Sequence, residues 1–207
     1  INGGNLNMWK AEHQRRFDYG RNSYDFRHIF RASSIWRLPV GRGQKLLSDI
    51  HPVLDGALGG WQLSGILTLQ NGQAASVYGG FNLNDQRTDR PDRACDGNLS
   101  GERTLLRDFD TSCFANQGTF RYGTSGRNIL NQRPLRNLDL ALQKYFNLPI
   151  PRMENPRLQF RAEMFNATNT PFFSLPSVSC CGGVNMGRIT STDRDNRIIQ
   201  MGMKVVF

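Results

Sequence analysis

The side chains best equipped for chemistry are few and scattered. His13, His28 and His51 are the only histidines, and none has a partner at a spacing that suits metal binding or nucleophilic catalysis. They read as solvated or internally satisfied imidazoles. Gly41-Arg42-Gly43 followed by Lys45 lacks the GxxxxGK[ST] spacing of a phosphate-cradling loop, so it reads as a basic turn. Asp85, Asp89, Asp92 and Asp96 fall in one stretch and could offer oxygen ligands to a calcium ion. Arg87, Arg90 and Arg93 interleave with them, so a self-paired, solvated loop is the stronger reading. There is no GxSxG and no HExxH. No residues are left to carry an enzyme reading, and no cofactor or metal is expected.

Of the four cysteines, Cys95 and Cys113 lie in a polar, turn-rich stretch, while Cys180 and Cys181 are adjacent. Without a C-x-x-C, zinc is poorly supported. Two readings stay open for Cys95 and Cys113: a disulfide, which suits an exported protein, or two free thiols. The vicinal pair is too strained for an ordinary bridge and receives no role.

The elements that would position these residues alternate with a period of two. In 27–38, His28, Phe30, Ala32, Ser34, Trp36 and Leu38 oppose Ile29, Arg31, Ser33, Ile35 and Arg37. In 59–70, Trp61, Leu63, Gly65, Leu67 and Leu69 oppose Gln62, Ser64, Ile66, Thr68 and Gln70. The same pattern returns in 136–146, 157–166 and 197–207, giving five predicted strands. The segments between them are polar, and 79–135 is the longest. Asn71-Gly72 is a strong hairpin signal. Gln73–Tyr78 then reads either as a return strand or as the same strand continued past a bulge.

Strands of this length match a tilted crossing of about 30 Å of hydrocarbon. Trp36, Trp61, Tyr145 and Phe146 fall near strand ends, where a membrane barrel carries its aromatic girdle. No apolar run approaches the ~18 residues of a membrane helix. The net charge of +9 invites a nucleic-acid reading, but the excess is spread evenly along the chain. A soluble basic β-protein binding polyanions is therefore the weaker alternative, and no nucleic-acid partner is expected. The chain starts at Ile1 without a leader, which is the expectation for a mature chain or an internal segment.

Several segments resemble the carboxy-terminal barrel of TonB-dependent outer-membrane receptors. The nearest subgroup is Oar-like, with an amino-terminal carboxypeptidase-regulatory-like domain. The segments are DFRHIFRASSIWRLPVGRG (25–43), LGGWQLSGILTLQNGQ (58–73), DTSCF (110–114), GRNILNQRPLRNLDLALQKYF (126–146), RLQFRAEMFNATNTPFF (157–173) and GRITSTDRDNRIIQMGMKVVF (187–207). The final segment ends on an aromatic residue after alternating apolar positions. It resembles a barrel-assembly signal made of Ile199, Met201, Met203, Val205 and Phe207.

The resemblance implies an all-β, antiparallel up-and-down meander that is part of a transmembrane barrel and does not close alone. Residues 1–207 would be the closing segment of the barrel, without the plug domain. It implies a place in the bacterial outer membrane. Its partners would be membrane lipid, the assembly machinery, the TonB complex through the absent amino-terminal part, and an unidentified transported ligand. An outer-membrane structural or adhesion barrel without transport is the other alternative. Counting back from a periplasmic carboxy terminus puts 71–135 and 167–196 outside the cell and 39–58 and 147–156 on the periplasmic side. That count favours a bulge at Asn71-Gly72, with the strand extended to Tyr78. On it, Arg31, Arg37, Asp139, Arg161 and Glu163 would face the lumen, and oxidising surroundings would permit a Cys95–Cys113 bridge.

Overall fold

A computed structural model describes residues 18–79, 90–118, 123–150, 155–181 and 183–207. His13, Asp85, Arg87 and Asp89 lie outside the described residues. Five long strands form one sheet: β1 (Ile29–Arg37), β2 (Trp61–Gln70), β8 (Leu135–Asn147), β9 (Arg157–Phe165) and β11 (Ile198–Val206). Their order is β1-β2-β8-β9-β11, so each long strand pairs with the next one in the chain. The sheet is open, with β1 and β11 at its edges. This is the all-β meander that the resemblance implies, and an outer-membrane barrel needs at least about eight strands to close.

The register assigns the two faces. β9 and β11 pair antiparallel with Leu158, Phe160, Ala162 and Met164 opposite Val205, Met203, Met201 and Ile199. β8 and β9 pair with Leu140 and Leu142 opposite Met164 and Ala162. Leu38 N donates to Trp61 O and Asn71 N donates to His28 O, which gives β1 and β2 one constant register. Trp61 stacks edge-on against Phe160, with centroids 5.9 Å apart, so the apolar parity of β2 joins the same face.

That face has no core beneath it. Met201 and Met203 are 73% and 72% exposed. Apart from Leu135 at the start of β8, the buried hydrophobic side chains among the described residues lie outside the five long strands. A sheet with a full apolar face and nothing packed on it is unstable in water and suited to lipid.

The chain divides into two compact units. The sheet lies in the unit comprising 30–69, 136–171 and 195–207. The other unit gathers described residues from 1–29, 70–135 and 172–194. The polar connections are therefore folded, where the sequence suggested a long loop in 79–135. Their core is Ala75, Val77, Phe109, Cys113, Phe114, Leu130 and Cys180. Two-residue strands tie the segments together. β3 (Ala74–Ala75) pairs with β7 (Leu130–Asn131), β4 (Tyr78–Gly79) with β10 (Ser179–Cys180), and β5 (Asp92–Arg93) with β6 (Phe114–Ala115).

Asn71-Gly72 is neither a hairpin nor a bulge within a strand reaching Tyr78. β2 ends at Gln70, and the chain resumes as the separate strands β3 and β4. Gly72 is needed because a Cβ there would collide with the carbonyl of Gln132. Pro134 has no N–H, so it cannot donate to a ladder in this stretch.

The DTSCF segment has a clear local role. Asp110 caps the short 3-10 helix Thr111–Cys113 by accepting from Ser112 N, and Phe114 packs edge-on against Phe109 at 5.8 Å. The Ser112 hydroxyl and Arg107 hold the Asp110 carboxyl below the usual carboxylate range. The cap is thus fully formed above the ordinary carboxylate pKa and is lost as pH falls through the depressed value.

Cys95 and Cys113 form a disulfide with a Cα–Cα distance of 5.0 Å. Cys180 is bonded to Cys181 as well, a pairing for which the sequence offered no role. Opening the Cys95–Cys113 bridge with paired Cys→Ser substitutions should cost about 3 kcal/mol in the chain-entropy account. Hydrogen exchange should then accelerate across 90–118 and leave β9 and β11 unchanged.

Candidate functional site

The polar face of the sheet follows from the same register. Ala141, Glu163 and Gln200 align across β8, β9 and β11. Ser64 Oγ donates to Ala141 O at 3.3 Å and brings the polar parity of β2 onto this face. Ile35 lies opposite Ser64 by the β1–β2 register.

A hollow of about 610 Å³ opens here across four strands. Ser33, Ser64, Asp139, Arg161, Glu163 and Phe165 are among its lining residues. That volume is within the usual range of small-molecule pockets, ~300–1,000 Å³.

Its charged groups are fixed by neighbours. Arg161 pairs with Glu163 at 2.5 Å, two residues apart on one strand and therefore on one face. Gln200 Nε2 donates to the other oxygen of Glu163. Asp139 accepts from Asn137 Nδ2 and from Asn166 N, both at 2.9 Å. Asn166 takes a left-handed backbone (φ 49°) and its side chain closes the following turn on Thr170. The FNATNT stretch of the sequence is thus the device that ends β9 and holds Asp139.

Three of the five residues expected to face the lumen, Asp139, Arg161 and Glu163, meet at this hollow. Arg31 and Arg37 share its face by alternation but sit exposed on the edge strand β1 and do not line it. Such a surface can bind and orient a polar solute. Among the described residues no group of three or more His, Cys, Asp or Glu side chains could hold a metal ion. Asp92 accepts from Thr124 N and Asp96 pairs with Arg93, so these two carboxylates are spent on local structure. His51 caps a short helix through Nδ1, and His28 immediately precedes β1, where its carbonyl accepts from Asn71 N.

Lys144 is the residue the sequence reading passed over. It shares the parity of Leu138, Leu140 and Leu142 and so lies on the apolar face, yet it is only 5% exposed. Its Nζ donates to Gly56 O at 2.5 Å and to Asp55 O at 3.4 Å. It lies 5.6 Å from the ring centroid of Trp61 and 5.0 Å from that of Phe146. A lysine following three alternating leucines on one parity was the available signal. Trp36 and Phe146 share the apolar face with Trp61, whereas Tyr145 alternates onto the polar one.

A family model described as an outer membrane beta barrel domain matches residues 1–200. No curated protein and no solved structure matches the chain.

Proposed function

The chain belongs to the outer membrane beta barrel domain family, and on that premise we propose that it forms the closing part of a TonB-dependent, Oar-like receptor barrel. Its place is the bacterial outer membrane. In this reading the intact receptor captures a scarce ligand outside the cell. The ligand passes along the polar face when the TonB complex acts on an amino-terminal plug. The remaining partners are membrane lipid and the machinery that inserts barrels. No covalent chemistry and no cofactor enters the reading.

The observation that supports it is the hollow at Asp139, Arg161 and Glu163. A wall that merely spans the membrane needs polar side chains on its water side, but it has no need of a small-molecule-sized hollow with an ion pair and a hydrogen-bonded carboxylate held in it. The six segments that resemble these receptors supply the rest of the support. The barrel's assembly signal would be Ile199, Met201, Met203, Val205 and Phe207, and Arg31 and Arg37 would be lumen-facing charges outside the hollow.

The test is the reading frame upstream of Ile1. A plug domain and a TonB-contacting box encoded in the same polypeptide are expected. A mature protein without a plug would overturn the transport reading and leave a structural or adhesion barrel.

A further inference from the structure

The connection between β1 and β2 contains a helix, α1 (Pro52–Leu58), where the sequence showed only a turn. Val53, Leu54 and Leu58 fall on one side of it by helical spacing, and they are 75%, 53% and 48% exposed. Leu46 and Leu47, in the same connection, are 56% and 53% exposed. Asp55 faces the other way, where its Oδ1 accepts from Arg42 N at 2.7 Å. Gly41, at φ 125°, allows that approach, because a Cβ would meet both Asp55 Oδ1 and Gly59 Cα.

The end of α1 is attached to one face of the sheet only. Asp55 and Gly56 give their carbonyls to Lys144 Nζ, and Ala57 gives its carbonyl to Trp61 Nε1 at 2.9 Å. Both donors stand on the apolar face, at the ends of their strands. The helix is therefore held on the lipid side of the wall, away from the hollow. Lys144 is a cation on a lipid-facing parity, which is costly unless it is partnered or near the interface. The helix carbonyls and the Trp61 and Phe146 rings meet that need. Arg42 and Lys45 are exposed in the same connection, alongside Asp49.

We propose that α1 and the Leu46-Leu47 turn lie in the phospholipid headgroup layer beside the barrel wall, with Val53, Leu54 and Leu58 dipped into the acyl boundary. The occupant of this apolar surface is the membrane itself. The surface continues the lipid-facing side of the sheet, and its flanking Arg42 and Lys45 complement lipid phosphates. A helix of seven residues would not hold to a membrane alone. Here the strands on either side fix its depth, and its apolar side chains add an anchoring belt at this rim. The inference rests on family membership and does not depend on transport.

Single cysteines at Val53, Leu54 and, on the opposite face of the wall, Gln62 test it in the full-length protein. The native cysteines among the described residues are all bridged and do not compete for label. Each variant would carry bimane and be reconstituted in phosphatidylglycerol vesicles containing lipid brominated near the glycerol end of its chains. Heat-modifiable gel mobility confirms folding, and Leu58→Cys replaces any variant that fails it. The expected result is quenching of the Val53 and Leu54 labels by brominated lipid and not by aqueous iodide, with the reverse at Gln62. Iodide reaching positions 53 and 54 as readily as 62 would overturn the proposal. So would labels that neither quencher reaches, since that pattern means a protein surface or a second copy covers the helix.

Discussion

Asp108→Ala is expected to destabilise the unit built from the polar connections by about 3–5 kcal/mol, the usual cost of stripping one partner from a buried ion pair. Asp108 is 2% exposed, and Arg133 Nε donates to its Oδ1 at 2.6 Å. The Arg133 guanidinium also lies 5.4 Å from the ring centroid of Phe173. Removing the carboxylate leaves this cation in a poorly solvated site. The matched control is Asp110→Ala, which breaks the more exposed Arg107–Asp110 pair at 2.9 Å. That change should cost far less, because it removes a solvent-screened ion pair and one cap and strands no buried charge. A double replacement, Asp108→Leu with Arg133→Met, should recover most of the loss, because it removes both charges together. Hydrogen exchange of the reconstituted protein at Val77, Phe114 and Leu130 reads all three variants. An Asp108→Ala protein no more open there than Asp110→Ala would contradict the account.

Met201→Arg should weaken the folded barrel by about 2–4 kcal/mol, the cost of a lipid-facing Arg near the bilayer midplane. Met201 lies near the centre of β11, opposite Ala162 on the apolar face. Its neighbour Gln200 lies opposite Glu163 and donates to it. Gln200→Arg should therefore be neutral or mildly stabilising, since the new guanidinium faces water and a carboxylate. The two substitutions add the same group one residue apart, so their difference isolates the face. Urea titration of folding into bilayers measures it, and equal losses at both positions would contradict the assignment of faces.

The five long strands were legible because one physical rule governs every one of them. A strand between lipid and water must alternate, and the alternation in 27–38, 59–70, 136–146, 157–166 and 197–207 is little interrupted. Apart from the favoured extension of the second strand to Tyr78, their ends moved by two residues or fewer in the structure. The folded connections were not legible. Their core draws single residues from distant segments: Val77, Phe109, Phe114, Leu130 and Cys180. Pairs of two-residue strands and a disulfide hold them together, so no periodicity survives for a sequence reading to find.

Asn71-Gly72 misled for a related reason. Glycine there answers a close approach of two backbones and not a positive φ, and the two causes look identical in a sequence. Helix α1 is too short to show a full amphipathic period, although Pro52 after His51 matches a helix start. For the hollow, parity was enough to gather Asp139, Arg161 and Glu163 on one face. Parity could not show that Arg31 and Arg37 fall to either side of the Ser33–Ile35 stretch of β1 that lines the hollow, because it carries no information about where along a strand the hollow sits.

The central claim is that the sheet is a barrel wall with lipid on one side and water on the other. Nitroxide labels placed singly at positions 199 to 205 of the full-length protein, reconstituted in lipid vesicles, test it most directly. The account predicts collision with oxygen at 199, 201, 203 and 205, and collision with a water-soluble nickel chelate at 200, 202 and 204. A signal without that two-residue period, or with the parities exchanged, would contradict it.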